Sequence, residues 1–252
     1  NEIILTGSTD KTAILWEAET GLVKHQLIGH KKSVSSVAIT HNGDYCLTGS
    51  KDCTANVWRV QSGKCLLTLR GHTAAITSVG FRNNDDYCIT GSKDHTAKIW
   101  DVKSGKCIFT LKGHTAAITS VAFSFYGDFC LTGSADKTAR LWKINNNCRC
   151  IKIIKRHFST ISSVCFFLSD KQYYLLGSRD KTVSLWDLMT GKCVRSFKKI
   201  GFPINYLSVS SDSKYCFIGT KYKGSKIVDL KTGKQISKIG DHKKDRITQG
   251  VF

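Results

Sequence analysis

Residues 71–101 read GHTAAITSVGFRNNDDYCITGSKDHTAKIWD, and residues 113–143 read GHTAAITSVAFSFYGDFCLTGSADKTARLWK. The second stretch repeats the first at a distance of 42 residues. The same spacing extends along the chain, because its five tryptophans follow one another at steps of 42, 42, 42 and 44 residues. They are Trp16, Trp58, Trp100, Trp142 and Trp186. A period of about 20–50 residues predicts a chain built from copies of one supersecondary unit.

Each unit is predicted to contain four short strands. In the unit that begins at Gly71, residues 76–81, 87–92, 96–101 and 107–111 are rich in β-forming residues, and turn-forming residues separate them. A four-stranded antiparallel sheet cannot bury both of its faces alone. Stacking such sheets radially buries the faces and leaves only short edges. The sequence therefore predicts an all-β fold of radially stacked sheets.

Three short motifs recur within the units. An aspartate stands six residues before each tryptophan, three units begin with Gly-His, and two tryptophans are followed by aspartate, as in Trp100-Asp101 and Trp186-Asp187. This pattern resembles the WD40-repeat family over essentially the whole chain. The resemblance implies a β-propeller whose blades each hold a hydrogen-bonded tetrad of His, Ser or Thr, Asp and Trp.

The resemblance assigns a structural tetrad to five units. The predicted sets are His242, Ser8, Asp10 and Trp16; His30, Ser50, Asp52 and Trp58; His72, Ser92, Asp94 and Trp100; His114, Ser134, Asp136 and Trp142; and His157, Ser178, Asp180 and Trp186. A buried carboxylate needs hydrogen-bond donors, which imidazole and hydroxyl groups supply. In the sixth unit Tyr222 and Val228 align with Asp and Trp, and Gly201-Phe202 replaces Gly-His. We expect this unit to lack a tetrad.

The whole chain, 1–252, is predicted to be one WD40 propeller domain of six four-stranded blades. The expected bounds are 1–29 plus a closing strand at 247–252 for blade 1, 33–70 for blade 2, 75–112 for blade 3, 117–156 for blade 4, 160–198 for blade 5 and 203–240 for the degenerate blade 6. The alternative is an arc of a seven- or eight-bladed ring. Because the sequence begins at Asn1 and not at Met, we expect it to be a segment of a longer chain.

The eleven cysteines are predicted to be free thiols. Cys46, Cys88 and Cys130 lie 42 residues apart and so occupy equivalent places in successive units, where they cannot pair. The only close pair, Cys148 and Cys150, lacks the CxxC spacing of zinc ligands. Buried free thiols indicate a reducing compartment, and we expect an intracellular protein of the cytoplasm or nucleus. No apolar run approaches the roughly 18 residues of a membrane span, so no membrane insertion is expected.

Serine, histidine and aspartate recur in every regular unit, whereas a catalytic triad is a single constellation. The chain also lacks a glycine-rich phosphate loop and the common hydrolase motifs. We therefore predict a non-enzymatic protein with no catalytic residue, cofactor or metal.

The formal net charge of +19 predicts anionic partners. In four units a lysine or arginine directly precedes the turn aspartate or, in the sixth unit, the residue aligned with it. The resemblance places this lysine or arginine at the mouth of the central channel. The candidate partner-binding residues are Lys51, Lys93, Arg179 and Lys221, with Lys31, Lys32, Lys243, Lys244 and Arg246 in one sector. The first strands are expected to show small polar residues such as Ser35 and Thr77 on the same face.

From these features we expect a protein–protein interaction scaffold, monomeric within a larger complex, that binds acidic or phosphorylated peptide segments around the channel. The alternative is an RNA- or ribonucleoprotein-associated propeller that uses the same basic surface. Against the alternative, the sequence shows no aromatic residues interleaved with the cations, as single-strand binders use for stacking.

Overall fold

The computed structural model describes residues 2–198, 200–220 and 224–239. These residues form six antiparallel sheets, and within them there is no helix. Blade 1 contains β1 (Ile3–Gly7), β2 (Thr12–Glu17) and β3 (Val23–Ile28). Blade 2 contains β4 (Val34–Ile39), β5 (Tyr45–Ser50), β6 (Ala55–Arg59) and β7 (Cys65–Leu69). Blade 3 contains β8 (Ile76–Phe81), β9 (Tyr87–Ser92), β10 (Ala97–Asp101) and β11 (Cys107–Leu111).

The remaining three blades follow the same plan. Blade 4 contains β12 (Ile118–Phe123), β13 (Phe129–Ser134), β14 (Ala139–Lys143) and β15 (Arg149–Ile154). Blade 5 contains β16 (Ile161–Leu168), β17 (Gln172–Ser178), β18 (Val183–Asp187) and β19 (Cys193–Phe197). Blade 6 contains β20 (Ile204–Val209), β21 (Tyr215–Thr220), β22 (Ser225–Asp229) and β23 (Gln235–Ile239).

The prediction of an all-β, six-bladed propeller is confirmed by these sheets. Each of the last five sheets pairs its four strands in chain order, and the described part of the first sheet has three strands. The predicted closing strand, residues 247–252, lies outside the described residues. Closure of the ring by that strand, in place of a larger ring, therefore stays a prediction.

Neighbouring blades approach closely where one glycine replaces a side chain. The innermost strands β4, β8, β12, β16 and β20 pack against one another in chain order. At the end of β9, a Cβ atom on Gly91 would lie 2.5 Å from Cγ2 of Ile118 and 2.8 Å from Cγ1 of Val121 in the next blade. No carbon atom fits at that distance, so the Thr-Gly-Ser motif requires glycine in order to let the next inner strand pack.

The core is divided into layers, each lying between two blades. Between blades 2 and 3, for example, Leu47, Val57 and Leu69 pack with Ile76 and Trp100 of the following blade. All five side chains are nearly inaccessible to solvent. Trp58, Trp142 and Trp186 pack against the preceding blade in the same way, so the burial of one blade depends on its neighbour.

Hydroxyl groups at a β-bulge also link the blades. Ser35 lies where the β4–β5 register shifts, and its Oγ donates to Gly49 O at 3.0 Å or to Ile76 O of the next blade at 2.6 Å. Thr77 bridges in the same way to Ile118 O at 2.7 Å. These two hydroxyls were expected on the partner-binding face, but their hydrogen bonds are used within the fold.

The meander gives the propeller two unlike faces. The turns between second and third strands and the connections from one blade to the next lie at one end of the strands; we call this end the tetrad face, and it includes residues 29–33 and 51–54. The opposite face consists of the other turns, such as 41–44 and 61–64. Each face can therefore be altered separately.

Candidate functional site

In blade 3, four side chains form one continuous hydrogen-bonded chain. The Trp100 indole Nε1–H donates to Thr90 Oγ1 at 2.8 Å, and Thr90 Oγ1 lies 2.8 Å from His72 Nε2. The other imidazole nitrogen, Nδ1, lies 2.7 Å from Asp94 Oδ2. Because the indole can only donate, the threonine hydroxyl proton is available for Nε2, and the imidazole then donates through Nδ1–H to the carboxylate. This direction of donation requires a neutral histidine.

Blades 2 and 4 repeat the arrangement. His30 Nδ1 lies 3.0 Å from Asp52 Oδ2, and His114 Nδ1 lies 2.7 Å from Asp136 Oδ2. The hydroxyl between imidazole and indole belongs to Thr48 in blade 2, with Trp58 at 2.8 Å, and to Thr132 in blade 4, with Trp142 at 2.9 Å.

None of the serines predicted to supply the tetrad hydroxyl does so in a blade where that hydroxyl is described, so this part of the prediction is wrong. The serines hold the turn instead: Ser92 Oγ donates to Ala74 O at 2.9 Å and accepts from the Asp94 amide at 3.1 Å. The other serines likewise accept from the amide of the turn aspartate; they are Ser8, Ser50, Ser134 and Ser178.

Strand geometry explains the correction. Trp100 pairs with Cys88, so Thr90 lies two residues along the same face of β9 and Ser92 lies four. At about 3.3 Å per residue, the threonine is about 7 Å along the strand from the level of the indole and the serine about 13 Å, beyond its reach. The signal in the sequence was the threonine that stands ten residues before Trp16, Trp58, Trp100 and Trp142.

Blade 5 obtains its hydroxyl from a different strand. Leu176 occupies the position equivalent to Thr90, and the bridging group is Ser184 Oγ on β18. Ser184 Oγ lies 2.8 Å from His157 Nε2 and accepts from Trp186 Nε1 at 2.9 Å, while His157 Nδ1 lies 2.9 Å from Asp180 Oδ2. Blade 5 therefore has the same hydrogen-bonded network as blade 3, but its hydroxyl group comes from the third strand of the blade and not from the second.

The first and last blades differ from the regular ones. In blade 1, Trp16 Nε1 donates to Thr6 Oγ1 at 2.8 Å, and Asp10 Oδ1 accepts from Thr12 Oγ1 at 2.7 Å. The predicted partner His242 lies outside the described residues.

In blade 6 an apolar set replaces the polar one. Ile204 pairs with Thr220 as Val34 pairs with Ser50, so Ile200 occupies the histidine position. The prediction that Gly201-Phe202 replaces Gly-His is therefore wrong by two residues. By the same register, Ile218 and Val228 occupy the Thr and Trp positions, and Tyr222 lies outside the described residues. Ile200, Ile218 and Val228 are buried in one cluster. Replacing a buried polar network by apolar side chains is often neutral or stabilising, which accounts for the absence of a tetrad here.

The tetrads shift the titration of their members. Burial by itself raises the pKa of the Asp52 carboxyl, but hydrogen bonds from Thr54 and from the Lys31 amide outweigh it and hold the pKa at about 2. The pKa values of Asp94, Asp136 and Asp180 are lowered by the same balance. Burial lowers the pKa values of three imidazoles, and their aspartate partners offset this only in part; the three are His72, His114 and His157.

We expect stability to fall in two stages as the pH is lowered. Between the lowered folded pKa of a tetrad histidine and the unfolded value of about 6.5, only the unfolded chain binds the proton, so the free energy of unfolding decreases as pH falls through this range. The aspartates add a second loss below about pH 4, as the pH falls through their lowered folded values. Urea unfolding between pH 7.5 and pH 3 measures both stages. In His72→Gln the first stage should become shallower; an unchanged slope would show that His72 does not titrate with folding.

Tyr174 places a hydroxyl in the blade 4–blade 5 core without a partner. Its ring stacks on Trp186 with centroids 6.1 Å apart and planes at 2°, the residue is inaccessible, and its Oη has no hydrogen-bond partner among the described residues. The equivalent positions in blades 2, 3 and 4 are held by cysteine. A buried hydroxyl without a partner costs about 1–3 kcal/mol.

We therefore expect Tyr174→Phe to raise the free energy of unfolding by about 1 kcal/mol. Urea unfolding measures the change, with Tyr126→Phe on the opposite face, 60% exposed, as the control of nearly unchanged stability. A loss of stability in Tyr174→Phe would show that the hydroxyl makes a favourable bond.

The tetrads resemble a catalytic triad but are not built to react. Thr90 Oγ1, His72 and Asp94 are spaced like a nucleophile, a base and an orienting carboxylate. Thr90 is wholly buried, however, and its oxygen already accepts the Trp100 N–H. A substrate has no access to such an oxygen, and the arrangement recurs in successive blades, so the geometry favours a structural role. Among the described residues no cluster of His, Cys, Asp or Glu is arranged to hold a metal ion.

The candidate cations lie at the channel end of the tetrad face. The backbone amides of Lys51, Lys93 and Arg179 donate to Ser33 O, Ala75 O and Thr160 O at 2.9–3.0 Å, beside the start of each innermost strand. Their side chains are exposed, as are Lys31 and Lys32. The other predicted members lie outside the described residues; they are Lys221, Lys243, Lys244 and Arg246.

The turn aspartates of this face form hydrogen bonds within their own blades and no ion pairs with Lys51, Lys93 or Arg179 among the described residues. Asp94 accepts from His72 and from the amide and hydroxyl of Thr96, and Asp52 and Asp180 are engaged in the same way. In the part of the chain that the structure describes, Arg82 pairs with Asp86 and Lys214 with Asp212, both in turns of the opposite face. Among those same residues, Lys51, Lys93 and Arg179 of the tetrad face have no carboxylate partner.

Phe158 is an exposed aromatic residue that was not among the predicted partner-binding residues. Phe158 lies on the tetrad face next to His157, and 86% of it is exposed. Its place directly after the tetrad histidine, where other units carry Lys31, Thr73 and Thr115, was the signal in the sequence that indicates exposure.

None of the helices that a membrane crossing would need is found in the described ranges. A comparison with curated proteins gives no match. The family profile described as WD domain, G-beta repeat, matches four successive stretches, residues 21–59, 63–101, 105–143 and 148–187. These stretches make up more than half of the chain and contain four of the Asp-to-Trp units whose geometry is given above. The chain therefore belongs to the WD40-repeat family.

Proposed function

We propose that this propeller is a non-catalytic scaffold that binds acidic or phosphorylated segments of other proteins on its tetrad face. Proteins with WD40 repeats serve in general as protein–protein interaction scaffolds. The single observation that supports binding of acidic or phosphorylated segments is a set of exposed cations that have no carboxylate partner among the described residues. These cations are Lys51, Lys93 and Arg179. Oxygen-rich anions are the groups that such cations bind.

The fold itself produces this charge. Each turn aspartate of blades 2 to 5 accepts hydrogen bonds from a histidine and a threonine of its own blade, so its oxygens are occupied internally. The lysine or arginine that precedes this aspartate in blades 2, 3 and 5 is fixed through its own backbone amide. Its side chain has no carboxylate partner among the described residues. A protein anion approaching the channel therefore meets lysine or arginine on blades 2, 3 and 5, beside carboxylates that are already hydrogen-bonded within their blades.

The test is a triple charge reversal, Lys51→Glu, Lys93→Glu and Arg179→Glu. We expect it to abolish binding of a fluorescein-labelled oligoglutamate peptide and of a serine phosphopeptide, as read by fluorescence anisotropy. The melting temperature should hardly change, because exposed substitutions typically alter stability by less than about 0.5 kcal/mol.

The matched control reverses three exposed lysines of the opposite face, Lys64, Lys106 and Lys192. It changes the net charge by the same amount, so it separates a local site from the general effect of the +19 charge. Peptide binding that survives the first triple variant, or that is lost equally in both, would refute the proposed location.

RNA is the second candidate partner, because Phe158 provides an exposed ring on the basic face that a base can stack on. Salt dependence separates the two candidates. RNA binding should weaken steeply and linearly in the logarithm of the salt concentration, whereas a peptide with apolar contacts should retain part of its affinity.

For the cell we propose a reducing, intracellular compartment. All eleven cysteines are free, and Cys65 and Cys107 are exposed to solvent. Exposed thiols persist in a reducing environment and are oxidised outside it.

A further inference from the structure

Phe158 is the most exposed of the large apolar residues that the structure describes, and its backbone is fixed. The Phe158 amide donates to Asp180 Oδ2 at 3.0 Å, and the next carbonyl, Ser159 O, accepts from Ser178 Oγ at 3.1 Å. The tetrad and its turn thus hold the phenylalanine from both sides.

The same backbone position carries a polar side chain in the regular blades 2 to 4. There the aspartate of the turn accepts from the amides of Lys31, Thr73 and Thr115, at 2.8, 3.1 and 3.1 Å. The fold therefore needs only an amide at this place. It gives no reason for an apolar ring, which at 86% exposure adds nothing to the core.

Cations surround the ring in sequence and in space. Arg156 is exposed two residues earlier on the same connection, and Arg179 is held beside Thr160 by its amide hydrogen bond to Thr160 O at 2.9 Å. Lys155 and Lys181 are exposed on the same two segments. An exposed apolar side chain on a hydrogen-bonded backbone, with cations on the same two segments, is complementary to an anionic segment that contains an apolar residue.

We propose that Phe158 is a specificity-determining anchor: it binds an apolar side chain within the acidic protein segment that the tetrad face attracts. This inference rests on the proposed function and adds to it the sector, blade 5, and the composition of the partner segment. Because the backbone is already fixed by Asp180 and Ser178, ordering the ring costs little when it is buried by the partner.

A protein segment fits this site better than a single strand of RNA. Strand binders stack successive bases on several aromatic platforms. The only other exposed aromatic residue of the tetrad face, within the described ranges, is Phe202 on the next blade, and it is 39% exposed. The exposed pair Phe125 and Tyr126 lies on the opposite face.

The test uses two oligoglutamate peptides that differ only at the central residue, leucine in one and serine in the other. For the unmodified protein we expect the leucine peptide to have a dissociation constant about tenfold lower, the effect of burying about half of an apolar side chain. In Phe158→Ser the difference between the peptides should disappear while the serine peptide keeps its affinity. In Phe158→Leu the preference should persist.

Phe125→Ser on the opposite face is the matched control and should keep the leucine preference. If both peptides bind the unmodified protein equally, or if the preference survives Phe158→Ser, the anchor is refuted while the proposed function stands. If neither peptide binds, the proposed function fails and the anchor with it. Oligouridine binding that is lost in both Phe158→Ser and Phe158→Leu, with no peptide preference, would overturn the inference in favour of base stacking.

Discussion

Trp100→Ala should lower the free energy of unfolding by about 3–5 kcal/mol. Trp100 is 1% exposed and packs on Leu47 and Val57 of the preceding blade, and its indole meets the His72 ring edge-on at a centroid distance of 6.3 Å. Alanine leaves a cavity between two blades and also removes the N–H that Thr90 accepts. Chemical denaturation in urea measures the loss.

The control for this substitution is Ile108→Ala on the outer strand of the same blade. Ile108 is 43% exposed, so its truncation should cost much less than that of Trp100. Equal stability of Trp100→Ala and the unmodified chain would contradict the assignment of the tryptophans to the interfaces between blades.

Thr90→Val should cost about 2–4 kcal/mol, the second largest effect. Valine fills the same volume, but it leaves His72 Nε2 and Trp100 Nε1 buried without a hydrogen bond, at about 1–3 kcal/mol for each group. Ser92→Ala, two residues away, should cost less, because the lost hydroxyl bonds to two backbone groups, Ala74 O and the Asp94 amide, and the tetrad itself stays intact. Thr68→Val, exposed on β7, is the control for the substitution itself.

The outcome of these two variants decides which hydroxyl joins the tetrad. A greater loss in Ser92→Ala than in Thr90→Val would restore the sequence-based assignment and contradict the geometry. Differential scanning calorimetry gives the same ranking independently of denaturant.

The repeat was predictable because its physical cause is local and periodic. Trp100, Asp94 and His72 recur at fixed spacing, and the four strands follow from turn residues and β-forming runs. The hydroxyl was not predictable in the same way. The side chains of Thr90 and Ser92 lie on the same face of β9. Only the register with β10 shows which of the two hydroxyls is close enough to the indole of Trp100.

The departures from the repeat depended on tertiary structure. In blade 5 the hydroxyl comes from Ser184 on a neighbouring strand, and nothing in a linear pattern links it to His157. In blade 6 the pairing of Ile204 with Thr220 was needed to show that Ile200 takes the place of histidine. The position of Phe158 likewise depends on the hydrogen bonds that fix its backbone. Neither the amino-acid composition nor the spacing of the repeats shows these bonds.

Stability and the proposed binding surface are connected through the turn aspartates. Each of them uses its oxygens in hydrogen bonds within a tetrad, which stabilises the blade, and the adjacent cation has no carboxylate partner among the described residues. Lys51, Lys93 and Arg179 are thus free to attract an anionic segment because Asp52, Asp94 and Asp180 are not. Loss of a tetrad by mutation should therefore disturb both the blade and the charge of the face.

Hydrogen–deuterium exchange of the full chain, with and without the leucine-containing oligoglutamate peptide, tests the central claim most directly. We expect bound peptide to slow exchange in the tetrad-face segments 51–54, 93–96, 156–160 and 179–182, and to leave the opposite-face turns 41–44, 83–86 and 125–128 unchanged. Protection confined to the opposite-face turns, or protection of neither set under conditions where the peptide is bound, would contradict the assignment of the tetrad face as the partner-binding surface.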